Sequence, residues 1–171
     1  MNKLFKVMFL AVALFVMSGV ANAQVKIAHV STAEILDAMP DKATAEKKLE
    51  AHYNELQKQM QAMGAEYETK VNEYQANEAT MSNLVKQSKE KEIVDIQNRI
   101  QQFQASAEQE FEAKRAELLQ PILEKIQNAI NAVGKEKGYS YILDTATGAA
   151  VYIGTGSIDC TGDVKAKLGI K

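Results

Sequence analysis

This chain has few residues suited to nucleophilic or metal chemistry. Its two histidines are His29 and His52, and its single cysteine is Cys160. Nucleophilic catalysis needs a thiol or hydroxyl beside a base, and neither histidine shares a local motif with Cys160. Two histidines and one cysteine are a poor zinc ligand set, and the sequence contains no phosphate-loop, dinucleotide-loop, HExxH or calcium-loop motif. The sequence therefore predicts no catalytic residue, no metal site and no cofactor, and a protein that is not an enzyme.

The charged residues are numerous but almost balanced in sign. The 171 residues include 20 Lys and Arg and 22 Asp and Glu, which gives a net charge of −2. Nucleic-acid-binding domains are usually strongly basic, so we expect no nucleic-acid partner. A single cysteine excludes a disulfide framework, although Cys160 could still bridge two copies in an oxidising compartment.

The first 23 residues have the pattern of a secretory signal peptide. Lys3 and Lys6 precede an uncharged apolar run, and Ala21-Asn22-Ala23 places small residues at positions −3 and −1 of a cleavage site. The apolar run is shorter than the ~20 residues that a membrane-spanning helix needs. We predict cleavage near Ala23 and a soluble mature protein in a periplasmic compartment.

A long helical segment is predicted between Pro40 and Pro121, the only two prolines. It holds one glycine and is rich in Ala, Glu, Gln, Lys, Met and Leu, which favour helix. Apolar residues recur at steps of three and four on both sides of residues 77–83, whose Asn, Thr and Ser favour a turn. We predict an antiparallel coiled-coil hairpin, or arm, over residues 41–120, in which the numbers of facing residues sum to about 160.

The two ends of the mature chain, residues 24–40 and 121–171, are predicted to form a small β-rich body. Val25–Val30 alternates in hydropathy as a strand does, and Tyr139–Asp144 and Ala149–Ile153 are predicted to form a β-hairpin. Short helices are expected after the capping pattern Ser31-Thr32-Ala33-Glu34 and near the C-terminus. The predicted fold class is α+β.

Such a body is too thin to bury much core within one chain. Three short strands and two short helices would leave apolar surface and strand edges open, so we expect several copies to join through the strands, with the arms projecting. Burial alone leaves the number of copies open. The expected interface residues are Val25, Ile27, His29, Tyr141, Leu143, Val151 and Ile153.

Several stretches together resemble one known family over the whole chain. They are the KIAHV strand, the long segment poor in Pro and Gly, and the C-terminal YSYILDTATGAAVYIGTGSIDCTGDVKAKLGIK with its ILD and IDCTGDVKAKL motifs. The chain resembles the Skp/OmpH periplasmic chaperones. That resemblance implies a homotrimer with a β-barrel body, in which three helical hairpins surround a cavity. It also implies an ATP-independent chaperone that holds unfolded outer-membrane proteins and prevents their aggregation.

The outer part of the arm carries residues suited to holding many different clients weakly. Methionine side chains are flexible and polarizable, and such surfaces adapt to many partners. The same spacing would also place most of these residues in the seam between the two helices, and this alternative stays open. The predicted client-binding residues are Met60, Met63, Tyr67, Tyr74, Met81, Leu84 and Val85.

The charge of the arm departs from the resemblance. The best-known members of the family are strongly basic, whereas residues 41–120 here hold 11 Lys and Arg against 15 Asp and Glu. This departure argues against contact with lipopolysaccharide or a membrane surface. The alternative function is a structural or adaptor coiled-coil protein of the cell envelope, which would need the heptads but no strand-rich body.

Overall fold

The computed structural model describes residues 25–170, so the predicted signal peptide lies outside the described residues. Two long helices form the arm, and all other elements lie in the body. In chain order the elements are β1 (Ile27–Val30), α1 (Thr32–Ala38), α2 (Pro40–Asn77), α3 (Asn83–Lys137), β2 (Tyr141–Asp144), β3 (Ile158–Asp159) and α4 (Thr161–Leu168). The predicted arm and small strand body are both confirmed, in a chain that is mostly helical.

The ends of the arm helices follow local sequence signals. Pro40 opens α2, where its missing N–H costs no intrahelical hydrogen bond. The 38 residues of α2 span about 57 Å at 1.5 Å per residue. A 3₁₀ turn at Glu78–Thr80 reverses the chain, and the Ser82 hydroxyl then caps α3 by accepting a hydrogen bond from the Val85 amide. Gly138, in the left-handed region with φ 67°, ends α3.

The pairing of the two arm helices differs from the predicted register. The Tyr53 ring packs edge-on against the Phe111 ring, with centroids 5.9 Å apart, and Tyr74 donates a hydrogen bond to Glu90 across the seam. The numbers of both facing pairs sum to 164, so α3 is displaced by about one turn from the prediction. Residues 78–82 connect the two helices and include this 3₁₀ turn, so the register of the seam depends on the conformation of that connection.

The body contains a three-stranded sheet in the order β2-β1-β3, and β1 is parallel to both neighbours. Ile27 lies opposite Tyr141, and Ala28 lies between Ile142 and Ile158. The whole arm connects β1 to β2. It therefore acts as the crossover that a parallel pair requires.

The predicted β-hairpin at the C-terminal end is wrong. Residues Ala149–Ile153 form no strand, and the third strand is the short β3 instead. The Asp144 carboxylate accepts a hydrogen bond from the Ala146 amide and turns the chain out of the sheet into a 3₁₀ turn. Gly148, with φ 72°, ends that turn. A side chain at the end of β2 thus removes the following residues from the sheet.

The hydrophobic core lies beneath one face of the sheet. Its fully buried side chains are Val30 of β1, Ile35 of α1, Val164 of α4 and Cys160, the residue just before α4. The body end of α3 completes it with Ile122, Ile126, Ala129, Ile130 and Val133. The outer arm contributes little to this core, because it buries only Leu56 and Ile96 in the seam. The body is therefore the best-packed part of the described chain.

Asp144 also fastens the end of β2 to the start of α1. Its Oδ1 accepts hydrogen bonds from the amides of Thr32 (3.2 Å) and Ala146 (3.0 Å), and its Oδ2 accepts one from Thr32 Oγ1 (2.6 Å). Burial raises the pKa of this carboxyl, but the hydrogen bonds from Thr32 and Ala146 outweigh burial and lower the pKa below its usual 3.8.

Removing this carboxylate is expected to destabilise the body. Asp144→Ala loses three charge-assisted hydrogen bonds and should lower the free energy of unfolding by about 2–3 kcal/mol, whereas Asp144→Asn, which keeps the Oδ1 acceptor, should lose less. Because the folded pKa is lowered, the carboxylate stabilises the fold above its unfolded pKa, and this contribution disappears as the pH falls through the folded value. Urea unfolding at pH 7 and at pH 3 tests both statements. Equal midpoints for Asp144→Ala and wild type at pH 7 would contradict them.

Candidate functional site

The outer face of the sheet is apolar, and no helix within residues 25–170 covers it. Alternation along the strands places Ile27, Tyr141 and Leu143 on this face, and they are 49%, 63% and 40% exposed. The opposite face carries Ala28 and Val30, which are buried in the core. When one face of a sheet packs on the core and the other face is apolar but exposed, the exposed face is typical of a surface that another chain covers.

A second exposed apolar segment follows the 3₁₀ turn after β2. Val151 and Tyr152 are 97% and 86% exposed, and Ile153 is also exposed. We call the exposed apolar residues of the body the body apolar surface: Val25, Ile27, Tyr141, Leu143, Val151, Tyr152 and Ile153. The described part of the chain leaves all of them exposed to solvent.

The predicted interface residues coincide with this surface except at two positions. His29 is half-buried in the central strand, and its Nε2 lies 3.9 Å from Asp159 Oδ2. Tyr152 is exposed but was not predicted as an interface residue. Ala149–Ile153 was wrongly assigned to a strand, in which every second side chain would face the core. The sequence signal that could have identified it is the unbroken apolar run Val151-Tyr152-Ile153.

The predicted client-binding residues divide into two groups. Met60, Met63, Tyr67 and Tyr74 are half-buried, as seam spacing requires, and Met81 is half-buried in the connection between the helices. Leu84 and Val85 lie at the tip and are 78% and 43% exposed. Val94, one further helical position of the outer arm, is 50% exposed and was missed because the apolar residues around it follow the seam period. We call Leu84, Val85 and Val94 the tip surface.

Charges near the tip are paired across the arm. Glu92 Oε1 lies 2.7 Å from Lys70 Nζ, and its Oε2 lies 3.1 Å from Lys89 Nζ. These hydrogen bonds, first that of Lys70 and then that of Lys89, lower the pKa of Glu92. The hydrogen bond to Glu90 raises the pKa of Tyr74 to about 12. Two lysines of the outer arm are thus already bound to a carboxylate of the same chain.

The residues best suited to chemistry take no reactive arrangement. Cys160 is fully buried, donates to the His29 carbonyl oxygen at 3.1 Å, and has a raised pKa because burial disfavours the thiolate. His52 faces Glu110 across the arm, with 3.4 Å between Nε2 and Oε1. Within residues 25–170, no three His, Cys, Asp or Glu side chains are placed to hold a metal ion. No helix in that same range has the length and apolar content to span a membrane.

Comparison with known proteins gives a consistent result. Residues 26–168 match the family model described as outer membrane protein (OmpH-like). The chaperone protein Skp of Photorhabdus luminescens is 28% identical over 144 residues, which cover 84% of this chain and 87% of that protein. The Skp protein of Vibrio cholerae is 24% identical over 131 residues, covering 77% and 78%.

A crystal structure described as that of an OmpH-like outer membrane chaperone from Caulobacter crescentus CB15 has a similar fold. The TM-score is 0.72 at 16% sequence identity, and the match covers 85% of both chains. At this identity the likeness shows the shared fold.

Proposed function

This chain belongs to the OmpH/Skp family of chaperones, and on that premise we propose that it is an ATP-independent holdase for unfolded outer-membrane proteins. The family is not enzymatic, which agrees with the absence of catalytic motifs from the sequence. The observation that carries the proposal is the contrast between a well-packed body with an uncovered apolar face and a thin arm about 57 Å long. Such an arm can reach around a client but has little core of its own.

We propose that the body apolar surface joins three copies of the chain. Among the residues that the structure describes, both outer strands, β2 and β3, have an unpaired edge, and open edges invite pairing with another chain. Burial of Tyr141, Leu143 and Ile27 against neighbouring copies would remove their exposed apolar area from water, worth about 25 cal/mol per Å². The number three comes from the family resemblance.

In such a trimer the arms would bound a cavity, and we propose that clients contact their exposed apolar residues there. The tip surface offers side chains that the seam does not use. Contacts of this kind are weak and independent of client shape, which suits a protein that must accept many unfolded chains. The proposed compartment is the periplasm, after cleavage near Ala23, and the N-terminal sequence of protein isolated from the envelope should then begin at Gln24.

Light scattering of an unfolded porin tests the proposed function. A porin diluted out of urea should aggregate less in the presence of the mature protein, without ATP, once the trimer is in several-fold excess. Unchanged aggregation at that excess would contradict the holdase proposal and would favour the structural or adaptor role.

Substitutions at the tip surface are expected to weaken holding. Leu84→Ser with Val85→Ser removes two exposed apolar side chains, so about three- to tenfold more protein should be needed for half-maximal suppression of porin aggregation. Leu123→Ser is the matched control, because Leu123 is a 45% exposed leucine of the same helix near the body. Equal effects of the tip and control variants would contradict a special role for the tip.

A further inference from the structure

A groove opens between α2 and α3 halfway along the arm. It has a volume of about 400 Å³, in the range of sites for small ligands. Its apolar lining residues are Tyr53, Leu56, Met60, Phe103, Ala107 and Phe111. We call it the seam groove.

A small residue between two large ones creates the seam groove. Phe103, Ala107 and Phe111 are spaced four apart and lie on one face of α3, so the Ala107 methyl stands between two phenyl rings. A methyl group fills far less space than either ring. The seam therefore has a gap at a position where a larger residue would close it.

The lining of the groove suits an aromatic guest. Phe103 and Phe111 are the only phenylalanines outside residues 1–23. Tyr53 meets Phe111 edge-on, with an angle of 72° between the rings, and remains 53% exposed. Edge-to-face contact with such rings, and contact with the Met60 thioether, favour an aromatic side chain over an aliphatic one.

The polar lining of the groove disfavours anionic ligands. The polar residues that line the groove are Gln57, Gln104 and Glu108, and no lining residue is Lys or Arg. A fatty-acid carboxylate or a lipid phosphate would meet a carboxylate and no cation. An uncharged ring with amide neighbours meets no such penalty, and glutamine side chains can bond the client backbone beside it.

We propose that the seam groove binds single aromatic side chains of unfolded outer-membrane proteins. This inference rests on the proposed function and names the client feature that the arm recognises. Outer-membrane β-barrels carry girdles of aromatic residues at both ends of their strands, so each unfolded client presents many such side chains. One groove on each arm would then hold a client at several weak points.

The lack of tryptophan in this chain gives a direct test. The probe is a neutral peptide of about ten residues with alternating Thr and Val and one central Trp, the length and pattern of a barrel strand. Its tryptophan emission should shift to shorter wavelength and saturate as full-length mature protein is added. The same peptide with Leu in place of Trp should compete about tenfold more weakly.

Filling the groove should weaken this binding. Ala107→Leu and the more flexible Ala107→Met should each weaken Trp-peptide binding at least about tenfold. Ala105→Leu adds the same bulk at an exposed position two residues away, on the other side of α3, and should bind as wild type does. Circular dichroism verifies that all variants keep their helices.

Three results would overturn the inference: no saturable emission shift with wild type, unchanged binding by both Ala107 variants, or equal competition by the Leu peptide. Porin light scattering on the same samples separates the two proposals. If wild type suppresses porin aggregation but any of these three results occurs, the seam groove is not the aromatic site and the holdase function stands. If wild type fails to suppress porin aggregation, the proposed function is contradicted and the inference falls with it.

Discussion

Replacing Tyr141 and Leu143 with aspartate is expected to convert the assembled protein into folded monomers. Both side chains lie on the uncovered face of the sheet, 63% and 40% exposed, so the single chain does not need them for its core. In a trimer they would be buried against a neighbour, and an unpaired buried carboxylate costs several kcal/mol. The dissociation constant should rise by at least about 10³, and sedimentation equilibrium at micromolar concentration measures it.

Two exposed apolar residues of α3 provide the control for this double variant. Val94→Asp with Leu123→Asp adds the same charge to side chains that are 50% and 45% exposed on α3. This control should keep the mass of the wild-type assembly. A wild-type mass for the Tyr141 and Leu143 variant, or a monomeric wild type at micromolar concentration, would show that the sheet face does not join the copies.

Truncating Ile35 is expected to destabilise the body more than any other single truncation of its core. Ile35 is 0% exposed and lies in α1 among the core residues Val30 and Val164. Removing a buried isoleucine to alanine costs about 2–5 kcal/mol, which is a large share of the stability of so small a core. Because the body carries the proposed interface, assembly should weaken together with folding.

Leu36→Ala is the matched control for Ile35→Ala. Leu36 is the next residue of α1 and only partly buried against the same core, so its truncation should cost about half as much or less. Urea unfolding followed by circular dichroism compares the two variants. An Ile35→Ala midpoint equal to that of wild type would mean that the described core does not stabilise the body.

Local signals allowed the arm to be predicted well. Each of these signals determines the structure of only a few neighbouring residues. They are the helix-forming residues between two prolines, the polar segment at 77–83 and the helix end at Gly138. The register between the helices was wrong by about one turn, because it depends on how the 3₁₀ turn at Glu78–Thr80 is built. A small change in the conformation of the connection displaces every facing pair along the seam.

The sheet was harder to predict because its contacts are distant in sequence. β1 pairs in parallel with strands more than 100 residues away, and β3 has two residues with no alternating pattern. The apolar run Val151-Tyr152-Ile153 has a better strand pattern than β3. Only the hydrogen bonds of Asp144 show why the chain leaves the sheet before it reaches this apolar run.

The candidate surfaces were predictable where alternation alone decides exposure. Ile27, Tyr141 and Leu143 follow the strand period and lie on the exposed face, and their place in an interface stays a prediction. The seam groove was not predicted, although the spacing of Phe103, Ala107 and Phe111 is visible in the sequence. Its other wall, with Tyr53 and Met60, becomes apparent only once the true register is known.

Native mass spectrometry of the mature protein with one unfolded porin tests most directly whether the bodies gather the arms around a client. The predicted complex contains three copies of this chain and one porin, and the Tyr141→Asp, Leu143→Asp variant should not form it. A complex with a single copy of the chain, or a trimer that never carries the porin, would contradict the account.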